Sequence, residues 1–372
     1  MEGHMNKFVP AETFPPGEFL RDELEARGWT QTEFADMIGR PVRLVNEIIA
    51  GKRAVTPETA HDFAAAFGTS AQLWMNFETT WQLSKVRPRS ENIAREAALR
   101  GRFPVREMIK RGWIAASKSI DELEESVFNF FGIKSIEDQI FMPHAARRNY
   151  DRDVSSIQWA WILRVNQLAT ALQAPPFSGA TLRAKVPDLE SLMVEPEEIR
   201  HVPRILLECG IRLIIVEPIP GSEIQGVCFW INENKSPVIG LTLKGDQIDK
   251  FWFDLWHEIE HVLNGDGKDG LIIEDFDETK TDINECEKNA NRSAANHCVP
   301  LGAMKDFILR HNPMFSEKNM LGFARIMRRH PGIVAGQIQR QMGRWDLFKK
   351  HQPKIRQIIT QTALTDGYGK IS

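Results

Sequence analysis

Two histidines four positions apart, His257 and His261, stand inside an amphipathic segment running from Asp249 to Leu263, and Glu258 directly follows the first of them. Four residues turn a helix by about 400°, so the two imidazoles emerge about 40° apart, one turn separated, on one face. That arrangement lets both rings hold a single zinc ion while Glu258 reaches water at the metal without ligating it. Just upstream, residues 211–217, 226–232 and 237–243 are β-branched or aromatic runs bounded by Pro, Gly and Asn, which predict a small sheet. Asn264-Gly265 reads as the helix stop.

A tetrahedral catalytic zinc needs a third protein ligand. The next strong segment is Glu285-Cys286-Glu287-Lys288-Asn289-Ala290-Asn291, running on to Pro300. On a helix, Glu287 and Asn291 share a face, whereas Glu285 points about 200° and His297 about 280° away from Glu287. Glu287 is therefore the expected third ligand of one zinc per chain, with Asn291 a partner orienting one histidine. A side chain stabilising an oxyanion is also needed, and His144, Tyr150, His201 and His297 all remain open for it. Residues 266–287 carry nine acidic side chains against Lys268 and Lys280 and read as a flexible acidic loop.

The N-terminal region has a different texture. Pro16-Gly17 opens a helix with Phe19, Leu20, Leu24 and Ala26 mainly on one face, and Gly28 closes it. Thr30 with Glu33 is a capping box that launches a second, ended by Gly39. A third runs from Pro41 to Ala50 over Leu44, Val45 and Ile48. Thr56-Pro57 starts a fourth, and Ser70 caps a fifth that carries Leu73, Trp74 and Phe77. Five short helices in such a stretch are the layout of a helix-turn-helix domain. Arg43 and Asn46 lie on its third helix, where side chains reach base edges, and Lys52 and Arg53 follow at the place of phosphate contacts. From Lys85 to Lys118, ten basic residues face three acidic ones, either extending a DNA-facing surface or forming a solvated helical linker. Beyond it, Phe128, Phe130, Phe131, Trp159, Trp161 and Leu168 are spaced as core.

Lysine and arginine total 47 against 50 acidic residues, a net charge of −3 that excludes a wholly basic nucleic-acid coat. Four cysteines without CxxC pairing argue against a disulfide scaffold and fit a reducing cytoplasm. No apolar run approaches the roughly 20 residues that span a bilayer. Gly3-His4-Met5 reads as a cloning remnant, with Met5 as the native start.

Two resemblances sharpen this reading. The stretch Pro16 to Leu83, with Thr30-Gln31-Thr32-Glu33, Val45-Asn46-Glu47-Ile48-Ile49, Gly51-Lys52-Arg53 and Thr56-Pro57-Glu58-Thr59-Ala60, resembles the Xre-type helix-turn-helix of the HigA/VapI antitoxin group. That resemblance implies an operator in double-stranded DNA and a possible homodimer, although Pro41 and Val42 stand where relatives carry polar residues. Residues from about 200 to 345 resemble the ImmA/IrrE metallopeptidases, a thermolysin-like gluzincin branch. The likeness rests on Pro237-Val238-Ile239-Gly240-Leu241, on His257-Glu258-Ile259-Glu260-His261, on Glu287-Lys288-Asn289-Ala290-Asn291 and on Gly332-Ile333-Val334-Ala335-Gly336. It implies cleavage of repressor proteins, with residues 238–243 as an edge strand that pairs with substrate. Ser293 and His297-Cys298-Val299 depart from the family pattern.

The expected chain is multidomain and mainly α: an all-α helix-turn-helix over residues 14–83, a basic helical linker or middle region over 84–200, and a C-terminal α+β thermolysin-like zinc peptidase domain with a small sheet over 201–372. The expected function is that of a cytoplasmic zinc endopeptidase with a DNA-binding domain, cleaving a repressor or antitoxin-type regulator in a phage, toxin–antitoxin or stress-response circuit. The alternative is a transcriptional regulator or antitoxin whose zinc domain senses or binds a partner with little proteolysis.

Overall fold

The computed structural model describes residues 13–85, 90–142, 154–268, 270–275 and 285–371, and the chain divides into two compact units at Ile93/Ala94. The first holds α1 (Pro16–Arg27), α2 (Gln31–Met37), α3 (Val42–Ile49), α4 (Pro57–Phe67) and α5 (Ala71–Lys85). Local chemistry sets their ends. The Thr30–Glu33 capping box opens α2, Thr56 caps α4, and the Ser70 hydroxyl accepts the Leu73 N–H at the start of α5. Leu20, Leu24, Phe34, Val45, Ile48, Phe63 and Trp74 close one core, from which Ala26, expected on the buried face, is excluded. The Trp74 indole donates to Thr69 Oγ1 at 2.9 Å, so the largest ring of that core leaves no polar atom unpaired.

The second unit begins in α6 (Ser90–Arg102) and continues through α7 (Val105–Lys110), α8 (Ile120–Phe131), α9 (Ser156–Ala171), α10 (Gly179–Ser191) and α11 (Val202–Glu208). The strands are β1 (Arg212–Val216), β2 (Ile224–Ile231) and β3 (Ser236–Leu241), followed by α12 (Ile248–Asn264), β4 (Ile272–Asp275), α13 (Glu285–Cys298), α14 (Leu301–His311), α15 (Glu317–Met327), α16 (Pro331–Met342), α17 (Arg356–Ile359), β5 (Leu364–Gly367) and β6 (Lys370–Ile371). The sheet is mixed, in the order β4-β2-β3-β1-β5-β6. β1 runs parallel to β3 and β5, while β2 runs antiparallel to β3 and β4.

Every residue of β1, β2 and β3 is buried, because helices cover both faces. Leu213, Ile215, Cys228, Trp230, Ile239 and Leu241 point into a core shared with α10, α11 and α12. Their alternates Ile214, Val216, Val227, Phe229 and Val238 point into a core shared with α6, α7, α8 and α9, including Phe131, Trp159, Trp161 and Leu168. The helical stretch from Ala94 is thus one layer of the unit that bears the sheet rather than a linker.

Residues 238–243, expected as an edge strand, fall mostly in β3, which is bonded on both sides and lies inside the sheet; among the described residues the edges are β4 and β6. Short β4, placed after the long helix, takes the outer position beside β2.

α16 lies close along α12. At Gly336 a Cβ would collide with the carboxylate of Asp249, in the first turn of α12. Burial lifts that carboxyl to about 6, against the opposing pull of the first-turn N–H groups and Arg340. The unfolded chain ionises near the ordinary 3.8, so the folded state holds the extra proton between the two values. Stability from this group is present below about pH 4 and lost as pH rises to about 6. Asp249→Asn should match the wild type in chemical denaturation near pH 4 and exceed it by on the order of 2–3 kcal/mol above pH 6.5.

Candidate metal centre and nucleic-acid interface

α12 carries His257, Glu258 and His261 in its interior stretch, among Trp252, Leu255, Trp256 and Ile259, and all three polar side chains are buried. The imidazole Nε2 atoms of His257 and His261 lie 3.0 Å apart. α13 crosses α12 and brings Glu287 to them, with Oε2 3.2 Å from His257 Nε2 and Oε1 3.6 Å from His261 Nε2. Glu287 keeps 27% of its side chain exposed, so the site opens on that side. Two imidazoles and one carboxylate suit zinc, and ligands about 2.1 Å from a tetrahedral ion stand about 3.4 Å from one another. The observed separations fit such an ion.

Glu258 turns toward the sheet. Its Oε1 occupies the space that a Cβ would need at Gly226 of β2, so a side chain there would push the carboxylate from this position. The pairing of β2 with β4 shifts register between Ile224 and Gly226, a bulge beside the carboxylate.

His261 is held from behind. Its Nδ1 lies 3.0 Å from Asp266 Oδ2, and the same oxygen accepts the Cys286 thiol at 2.8 Å. Burial, then the bond to Asp266, pushes that thiol up to about 12. Asn291, expected in this supporting role, makes no hydrogen bond to either imidazole among the described residues. Asp266 takes the place because the chain reverses over the end of α12 and carries it back to the ring. No sequence reading singled out Asp266, although Asn264-Gly265 marked the stop that positions it.

The departures from the family pattern lie around this centre. Ser293 donates to Glu260 Oε2 at 2.7 Å, joining α13 to α12. His297 stacks on Trp256, ring centroids 4.1 Å apart, and its Nδ1 lies 2.8 Å from Glu190 Oε1. His201 pairs with Glu198 at 3.7 Å. Neither histidine bonds the three donors among the described residues, and His144 and Tyr150 lie outside those residues.

In the first unit, Arg43 and Asn46 sit one turn apart on the exposed face of α3, and Lys52 and Arg53 are exposed on the loop after it. Glu47 binds both arginines, Arg43 at 2.7 Å and Arg53 at 3.3 Å. Pro41 precedes α3 without a side-chain cap. Much of the basic run after residue 85 is otherwise engaged. Arg95 pairs with Asp121 and Glu124, Arg102 donates to the Asp138 carbonyl, and Arg111 donates to the Glu217 and Pro218 carbonyls. Arg87 and Arg89 lie outside the described residues.

The profile of the IrrE N-terminal-like domain matches residues 209–329, and a helix-turn-helix profile matches residues 20–74. The chain joins a HigA/VapI-type helix-turn-helix to an ImmA/IrrE-type peptidase-family domain. It is 32% identical over 79 residues to virulence-associated protein I of Dichelobacter nodosus, covering 21% of this chain and 73% of that protein. It is 29% identical over 70 residues to the uncharacterized HTH-type transcriptional regulator YddM of Escherichia coli (strain K12), covering 19% and 74%. Among solved structures, the Pseudomonas aeruginosa antitoxin HigA with the higBA promoter shares 31% identity, with 20% of this chain and 82% of that chain covered and a TM-score of 0.20. An addiction module antidote protein of the HigA family from Coxiella burnetii shares 29%, covering 19% and 79%, at a TM-score of 0.19.

The IrrE-type match spans β1 to α15 and so contains His257, Glu258, His261, Asp266 and Glu287 within one domain. Purified protein should hold close to one zinc per chain, and His257→Ala, His261→Ala or Glu287→Ala should each lose it. Elemental analysis showing full occupancy in all three variants would remove the site.

Proposed function

We propose that this chain is a zinc-dependent endopeptidase with a DNA-binding domain, cleaving a repressor or antitoxin-type regulator in a phage, toxin–antitoxin or stress-response circuit. The observation that supports it best is the convergence of His257, His261 and Glu287 beside buried Glu258. Bound by those three side chains, zinc would supply Lewis acidity that acidifies water and polarises a peptide carbonyl. Glu258 accepts the proton as the water oxygen adds to the carbonyl carbon, then delivers it to the amine as the C–N bond breaks. Gly226 keeps the Glu258 carboxylate in line by leaving its space empty. An extended substrate finds its backbone partner on β4, the sheet edge one strand beyond Gly226.

The first unit binds operator DNA, with α3 in the major groove. Arg43 and Asn46 meet base edges, and Lys52 and Arg53 meet phosphates. The pairs to Glu47 are exposed to solvent, which screens them, and they give way readily. Among the described residues no helix is long and apolar enough to cross a membrane. A two-fold related pair of chains would match a palindromic operator.

Glu258→Gln should keep zinc and fold but lower cleavage of a repressor encoded beside this chain by about 10²–10⁴-fold, because the amide cannot accept the proton. Cleavage by that variant at the wild-type rate would overturn the mechanism. Operator binding that depends on zinc, with no cleavage by the wild type, would establish the regulator instead.

DNA binding has its own signature. Replacing Lys52 and Arg53 should weaken binding to all duplexes alike and flatten its salt dependence, while Arg43→Ala should relax preference at one position. Unchanged affinity after replacing all four residues, Asn46 included, would exclude this face.

A further inference from the structure

We propose that Asp266 and Cys286 form a positioning relay behind His261, in which the thiol fixes the carboxylate and the carboxylate fixes the imidazole. The proposal rests on the metal-centre reading above. It begins with the way α12 ends. Gly265 adopts φ +75°, its N–H bonds the Val262 carbonyl at 3.1 Å, and the Asp266 N–H bonds the His261 carbonyl at 2.9 Å. This double closure requires a left-handed residue at Gly265, and it folds Asp266 back over the histidine five positions earlier.

The sheet then locks the turn. Trp230 of β2 donates its indole N–H to the Asp266 carbonyl at 2.7 Å. Gly267 passes so near the same strand that a Cβ there would stand 2.9 Å from the Cys228 carbonyl oxygen. With its backbone N–H and C=O both engaged, Asp266 presents one carboxylate oxygen, Oδ2, to both His261 Nδ1 and Cys286 Sγ.

The chemistry follows from which groups donate. Cys286 gives its S–H to Oδ2, and His261 gives its Nδ1–H to the same atom. That leaves the Nε2 lone pair facing His257 and Glu287. An imidazole bonded this way is held in one tautomer and one ring orientation and is made a stronger ligand. α13 contributes to both sides of the ring, because Cys286 and Glu287 are consecutive. A slip of α13 along α12 would disturb ligand and relay together.

Zinc affinity, measured by competition with a chromophoric chelator, tests the relay, with visible absorption of the Co2+-substituted protein as a second readout. Asp266→Asn should weaken zinc binding by about 10–100-fold and shift the Co2+ bands. Cys286→Ala should weaken it in the same direction but less. Cys286→Ser should restore it, because a hydroxyl donates to the same oxygen. Far-UV circular dichroism of the metal-free variants should overlay the wild type; if Asp266→Asn fails to fold, the two Cys286 variants decide alone. Wild-type affinity in Asp266→Asn and Cys286→Ala would overturn the relay while leaving the metal centre standing. So would a second zinc equivalent, or a sulfur-to-cobalt charge-transfer band, that disappears in Cys286→Ser, since Cys286 would then be a ligand. Failure of the wild type to take up any metal would remove the parent reading and the relay together.

Discussion

Ionisable groups inside an apolar helix set the terms for the second unit. α12 is otherwise a core helix, yet it carries His257, Glu258 and His261 at almost no exposure. Burying such groups is unfavourable by several kcal/mol unless each finds a partner. The two imidazoles find theirs in parts distant in the chain, Glu287 from α13 and Asp266 from the turn beyond the helix, and Gly226 on β2 leaves room for the Glu258 carboxylate. None can serve unless the sheet, α12 and α13 are already packed. The far face of the same strands is covered because its own side chains are apolar, and α9 with its two tryptophans supplies that cover.

The parts of this arrangement that a sequence reveals are those fixed by short-range periodicity. His257 and His261 are four residues apart, and Glu287 belongs to a helix whose phase can be counted, so the three donors were legible before any contact was known. The turn chemistry of the first unit was legible for the same reason, since Thr30 with Glu33 and Thr56 with Pro57 act within one helical turn. Asp266 was not, because its role depends on a left-handed glycine and on Trp230 from another strand. Asn291 shared a face with Glu287 as counted, but its shared face did not bring it to either ring. Strand order was equally hidden. Residues 238–243 have the composition of any buried strand, and nothing local says whether a neighbour lies on one side or both.

Charge was the least legible property. Ten cations between Lys85 and Lys118 looked like one free surface, yet several of them are engaged by groups of the same unit. Arg111 closes two backbone carbonyls after β1, and Arg95 bridges two acids on α8. A guanidinium satisfies such groups as readily as phosphates, so counting cations cannot separate the two uses. The opposite holds on α3, where Arg43 keeps 87% of its side chain exposed and its partner among the described residues is a glutamate of the same helix.

The segment 293–299 shows how the centre tolerates substitution. The resemblance to the metallopeptidase family leads one to expect an aromatic and an aliphatic triplet where this chain has Ser293 and His297-Cys298-Val299. Directed bonds hold α13 at these positions. Ser293 ties Glu260, and His297 lies flat on Trp256 while binding Glu190, which Arg329 also holds at 3.1 Å. Arg329 in turn donates to the carbonyls of His297 and Cys298, closing the C-terminal end of α13. Hydrogen bonds fix direction and register more tightly than apolar contact does. Register is what α13 must supply, since a shift of one residue would exchange Glu287 for Cys286 or Lys288 at the metal donors. The substitutions therefore alter how α13 is held without altering what it presents.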